Sequence, residues 1–154
     1  MWEFAQVFER IVAAIDSDAG RANQVMQAAG ELGLKFGSHV LVVHVREVER
    51  SATMVAAVGK PGALPPIVHF ETEETAQRLV DDAVRQLRDL GVTADGVVGP
   101  GAGSTARELL DIAQSQRANL IVVGDRDSRV TDVILGGVSH RIVHLADCPV
   151  LLVR

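Results

Sequence analysis

The chain has 154 residues, of which 47% are apolar and only 3% aromatic, and its net charge is −5. That length suits one domain with a core that needs no staple. The acidity excludes a phosphate-backbone partner and the scarcity of aromatics excludes a base-stacking surface, so no nucleic-acid partner is expected. No apolar run approaches the ~18–20 residues of a membrane span. The N-terminus lacks the basic-then-apolar pattern of a signal peptide, and the single cysteine cannot form an internal disulfide. These features predict a cytoplasmic protein without membrane contact.

Residues 1–9, with Trp2, Phe4 and Phe8, read as an N-terminal extension to a domain spanning 10–154. Arg10–Ile15 is an apolar run of strand length, as expected for a strand buried on both faces of a parallel sheet. It stops at Asp16-Ser17-Asp18, three helix-capping residue types. Ala22, Val25, Met26, Ala29 and Leu32 then recur at helical spacing, closed by Gly33 and Gly37. His39–Val45 is a second buried strand. From Arg46 to Thr72 no period is visible, and Gly59, Pro61, Gly62, Pro65 and Pro66 break the chain; this is either a flap near the crevice or a disordered insertion.

Ala76, Leu79, Val80, Ala83, Val84, Leu87 and Leu90 mark a long amphipathic helix, with Glu71, Glu73 and Glu74 near its positive end. Val92–Val98 is a more polar strand, suited to a sheet edge. Gly99–Gly103 is a turn, and Thr105 with Glu108 has the spacing of a capping box. Leu109, Leu110, Ile112 and Ala113 give the next helix its apolar side. Leu120–Val123 is the fourth strand, ending at Gly124. A charged loop leads to Gly136-Gly137, a short helix with Val138, Ile142, Leu145 and Ala146 on one face, and a last strand, Pro149–Val153. Strictly alternating strands and helices predict a parallel sheet covered on both faces by right-handed crossovers.

The last third carries the most specific features: Leu120–Gly124, the pair Gly136-Gly137, Val138-Ser139, and Asp147-Cys148-Pro149-Val150-Leu151-Leu152-Val153. In these it resembles the universal stress protein family, and the resemblance extends from about Arg10 to Arg154. It implies an α/β fold of the adenine nucleotide alpha hydrolase-like, Rossmann-like kind: one open five-stranded parallel sheet, order 3-2-1-4-5, with helices on both faces. It also implies ATP or AMP at a crevice formed by Asp16, Val45, Gly124, Arg126, Asp127, Gly136, Gly137, Val138 and Ser139. Mg²⁺ would enter only with ATP. Finally it implies a homodimer through the last strand, Pro149, Val150, Leu151, Leu152 and Val153, which suits an apolar strand at an edge.

The family's nucleotide-binding members carry Gly, two residues, Gly, nine residues, Gly, then Ser or Thr. Here Gly124 keeps the first position, but Asp127 takes the second, only eight residues separate it from Gly136, and Gly137 replaces the hydroxyl residue. An aspartate ~4 Å from a phosphate would cost about 4 kcal/mol at an effective dielectric near 20, or roughly three decades of affinity. Arg126 and Arg129 would offset part of this, and Asp127 would alternatively hold a Mg²⁺ ion. The site therefore reads as degenerate, with AMP tolerated better than ATP. Asp16 would contact adenine or ribose, or else cap the first helix together with Asp18.

Other chemistry is thinly represented. His140 and His144 share a helix face at i, i+4 without a third ligand nearby in sequence, and read as surface residues. Cys148 follows a helix C-terminus and reads as packing. Neither a nucleophile elbow nor a Walker loop is present. A non-enzymatic binding or signalling module in the stress response is the leading expectation. The alternative is a nucleotide-hydrolysing or adenylyl-transferring enzyme of the same fold, with Asp127 as its base. A phospho-acceptor role for Asp16 or Asp125 ranks third, because the acidic cluster and lysine it needs are missing.

Overall fold

The structure, a computed structural model, describes residues 8–49, 69–125 and 137–154. In chain order the described elements are β1 (Arg10–Ala14), α1 (Ala19–Phe36), β2 (His39–Val45), β3 (Val48–Glu49), β4 (His69–Phe70), α2 (Glu73–Asp89), β5 (Thr93–Gly99), α3 (Thr105–Ser115), β6 (Leu120–Gly124), α4 (Val138–Leu145) and β7 (Val150–Val153). Five strands form one parallel sheet in the order β5-β2-β1-β6-β7, which is the expected 3-2-1-4-5 arrangement.

The continuous apolar runs are explained by cover on both faces. Side chains alternate along each central strand. Ile11, Ala13, Val40, Val42, Leu120 and Val122 pack under α1 and α2, against Val25, Met26, Ala29, Val80 and Leu87. The intervening residues Val12, Leu41, Val43, Ile121 and Val123 pack on the other face against Ala106, Leu109 and Ala113 of α3 and Ile142 of α4. Two of the described helices therefore lie on each face. The polar strand β5 stands at one edge and β7 at the other.

Local chemistry sets the ends. Asp18 is the N-cap of α1, its carboxylate accepting from the Arg21 amide at 3.0 Å. Gly37 closes the helix in the left-handed conformation at φ 64°, where a side chain is strained. Thr72 caps α2, with Glu73 and Glu74 in its first turn. Gly96 of the edge strand lies so close to α2 that an added Cβ would overlap Cγ1 of buried Val80.

The expected capping box at the start of α3 is not formed. The N-cap is Ser104, which makes no side-chain cap bond. Glu108 reaches back past it to the amides of Gly101 and Gly103, both at 3.0 Å. A carboxylate one turn into the helix thus ties down the loop that leaves β5, rather than the helix end. Within the stretch that showed no period, Val48–Glu49 and His69–Phe70 pair as an antiparallel ladder. Residues 50–68, on which the flap-or-insertion expectation falls, lie outside the described residues. Of the N-terminal segment, Phe8 packs edge-on against Phe36, centroids 5.5 Å apart, and the Glu9 carbonyl accepts from the His39 amide at 2.8 Å.

Candidate functional site

In a parallel sheet every strand delivers its following loop to the same edge. The helices after β1 and β6 here leave on opposite faces, which opens a crevice between two adjacent strand tips. The register defines that crevice. Ala14 pairs with Val43 of β2 and with Val123 of β6. Asp16 and Val45 therefore each lie two residues beyond a paired position, and Gly124 lies one beyond. The structure brings these three predicted residues to one edge.

Arg21, which the sequence patterns did not single out, occupies the space between the tips. It stands on the first turn of α1 with its stem over Gly124: a Cβ added to the glycine would meet Arg21 Cβ at 3.4 Å and Cδ at 3.6 Å. Its Nε donates to Asp16 Oδ2 at 2.8 Å, and Nη1 lies 3.3 Å from Asp18 Oδ2. The other oxygen of Asp16 accepts from the Asp18 amide at 3.0 Å. The helix cap itself is Asp18, so Asp16 is left as the strand-tip carboxylate. On the far side of Gly124, the Asp125 amide donates to the Val153 carbonyl at 2.8 Å, and Asp125 pairs with Arg154 at 3.0 Å.

A second network fixes the tips of β1 and β2. His44 is 1% exposed and bonded through both ring nitrogens. Nδ1 lies 2.9 Å from the Ile15 carbonyl, which only accepts, so Nδ1 carries a hydrogen. Nε2 lies 2.8 Å from Glu71 Oε2, so this contact also needs a proton, on one partner or the other. The same Glu71 oxygen accepts from the Glu47 amide at 2.9 Å, while Arg46 donates twice to the Glu71 carbonyl. Glu47 in turn accepts from the Ser17 hydroxyl at 2.8 Å. The chain around Ile15–Ser17, the exit of β2 and Glu71, two residues before α2, are thereby stitched together. Sequence pattern placed His44 in the core and Glu71 at a helix start. Their pairing across 27 positions had no local signal.

Gly137, Val138 and Ser139 begin α4, whose N-cap is Gly137 with no side-chain cap bond. A helix that crosses back from the tip of β6 starts at the same sheet edge, so its unsatisfied N–H groups and positive end belong to the crevice side. Arg141 reaches Ser104, the equally uncapped start of α3, at 3.5 Å. Arg126, Asp127 and Gly136 lie outside the described residues. His140 and His144 are exposed and stack edge-on at 4.4 Å. No group of three metal-ligating side chains occurs among the described residues. Burial, reinforced by Asp147, pushes the Cys148 thiol above its ordinary range, which favours the unreactive protonated form. The thiol packs beside the α3/α4 core.

An open parallel α/β sheet with its crevice at the reversal of strand order, flanked by an uncapped helix start, defines a class of small-ligand-binding folds. The comparisons give the family within that class. The family model described as "Universal stress protein family" matches residues 8–154, and the chain belongs to that family. It is 31% identical to a universal stress protein of Thermus aquaticus, covering 96% of this chain and 100% of that one. It is 29% identical to the universal stress protein YxiE of Bacillus subtilis, again over 96% and 100%. Among solved structures, the universal stress protein from Archaeoglobus fulgidus in complex with dAMP superposes with a TM-score of 0.66 at 23% identity, covering 96% of this chain and 99% of that one. No helix among the described residues is long and apolar enough to cross a membrane.

The buried His44–Glu71 pair should dominate the energetics of this edge. Glu71→Ala leaves a buried imidazole nitrogen without its partner and should cost about 1–3 kcal/mol in urea unfolding. Removing the exposed Arg78 partner by Glu74→Ala should cost no more than about 0.5 kcal/mol. Equal effects would show that His44 gains nothing from Glu71.

Proposed function

We propose that this chain is a non-enzymatic universal stress protein, a stress-response module that binds an adenine nucleotide at the β1–β6 crevice. The observation that carries the proposal is the juxtaposition of Asp16 and Gly124 across adjacent parallel strands, joined by the Arg21 side chain; the start of α4, which no side chain caps, supplies free N–H groups. A strand-tip carboxylate accepts hydroxyl or amino donors, and a helix start accepts phosphate. The Archaeoglobus fulgidus relative, solved in complex with dAMP, supports an adenine nucleotide as the ligand class. Asp16 and Val45 hold the nucleoside end. Gly124, Arg126, Asp127, Gly136, Gly137, Val138 and Ser139 line the phosphate end. Asp127 and the shortened loop make the site degenerate and favour AMP over ATP, with Mg²⁺ accompanying ATP alone.

The nucleotide reading is tested by thermal unfolding with AMP, ADP and ATP. A ligand at 100 times its Kd adds about 2.7 kcal/mol, a rise in Tm of roughly 5–10 °C in a domain of this size. AMP is expected to stabilise at least as well as ATP at equal concentration, and Asp127→Gly is expected to strengthen ATP binding. Absence of any shift with all three nucleotides would remove the proposal.

The same reading includes a homodimer through Pro149–Val153. Strand β7 has one neighbour, β6, and its outer edge is unpaired among the described residues. Leu151 is 37% exposed, and Val143 and Leu145 of the adjoining α4 are also exposed. An apolar edge of this kind is stabilised by pairing with a second copy about a two-fold axis. Sedimentation at micromolar concentration should give a dimer that Leu151→Lys converts to monomer; a wild-type monomer would contradict it.

A further inference from the structure

We propose that Arg21 determines the charge of the ligand that the crevice accepts. The inference rests on the nucleotide reading above and assigns a specificity role to a residue outside its predicted set. Three features of Arg21 carry it. Its stem lies against Gly124 at the tip of β6, while its Nε is bonded to Asp16 at the tip of β1, so the side chain as a whole joins the two walls of the crevice and sets the guanidinium on the Asp16 side. Its side chain is 24% exposed, buried enough to be held in place and open enough to meet a ligand. It is also surrounded by acids: Asp16 and Asp18 share it, and Asp125 lies on the far side of Gly124.

Other described cations at this edge are differently disposed: the exposed Arg141 reaches Ser104 at the start of α3. Arg46 is turned to the Glu71 carbonyl. Arg154 pairs with Asp125 from a position that is 80% exposed, where solvent and salt screen it. Without Arg21, a phosphate entering the crevice would approach the Asp16 carboxylate with no partly buried cation beside it. A carboxylate has about four acceptor positions. Asp16 can therefore keep its bond to Arg21 and still accept a sugar hydroxyl or an amino group. The guanidinium thus leaves recognition of the uncharged nucleoside in place and acts on the charged end. It lowers the repulsion that Asp16 and Asp18 would otherwise impose on phosphate.

The test is calorimetric titration of the full chain with adenosine and with AMP, for the wild type, Arg21→Gln, Arg21→Ala and Arg21→Lys. The neutral variants should weaken AMP about tenfold while adenosine stays within about twofold. Arg21→Lys should recover most of the AMP affinity, because it restores the charge. Arg21→Gln keeps a helix-favouring residue at the position and decides the matter if the alanine variant unfolds in urea at a much lower midpoint. Equal weakening of adenosine and AMP would reduce Arg21 to a structural brace and overturn the assignment, as would no change in either ligand. Wild-type protein that binds neither ligand would overturn the nucleotide reading and this inference together. Wild-type binding with an unchanged AMP-to-adenosine ratio in the variants would overturn this inference alone.

Discussion

The pairing of β1 with β6 is the constraint on which the rest of the molecule depends. These strands are more than a hundred residues apart in sequence, yet Ile11–Ala14 lie in register with Leu120–Val123. From this seam the chain winds one way through α1 and α2 on one face and the other way through α3 and α4 on the opposite face. A crevice at the strand tips follows from that divergence, because the helices that follow β1 and β6 lie on opposite faces of the sheet. The apolar alternation that builds the two cores also sets the register. A slip of one residue would exchange Ile11 and Ala13 with Val12 and turn each set toward the wrong helices.

Around the seam, polar groups hold the tips in place. His44 and Glu71 form a buried network, where every bond lost leaves a group without water to replace it. Arg21 forms a partly exposed bridge from Asp16 toward Gly124. The two differ in consequence. The histidine network contributes rigidity, since it joins the tips of β1 and β2 to the entrance of α2. The arginine bridge contributes charge, since it sits where the crevice meets solvent.

Much of the fold was legible in the sequence because its signals are local and repeated. Runs such as His39–Val45 and Leu120–Val123 are too apolar for anything but a strand covered on both sides. The polar run at Val92–Val98 pointed correctly to an edge. The strand order was not readable from periodicity; it came through the resemblance carried by Gly124, Gly136-Gly137 and the final strand. Contacts between distant residues were not legible. Thr105 and Glu108 matched a capping box by spacing, yet Glu108 serves Gly101 and Gly103, because the left-handed Gly101 turns the loop's amides toward it. Arg21 was not singled out by any pattern, since nothing near it in sequence announces that Gly124 lies beneath its stem. The β3–β4 ladder is two residues per strand, shorter than any period that pattern can detect.

The central claim is that ligand enters at the seam between β1 and β6. Backbone amide shifts recorded by NMR during titration with AMP test it most directly. The account predicts that the amides of Asp16, Ser17, Arg21, Gly124, Asp125 and Gly137–Ser139 move together along one binding curve, while those at the opposite sheet edge, near Arg10, His39 and Leu120, stay in place. Movement concentrated at that opposite edge, or no movement at millimolar AMP, would contradict it.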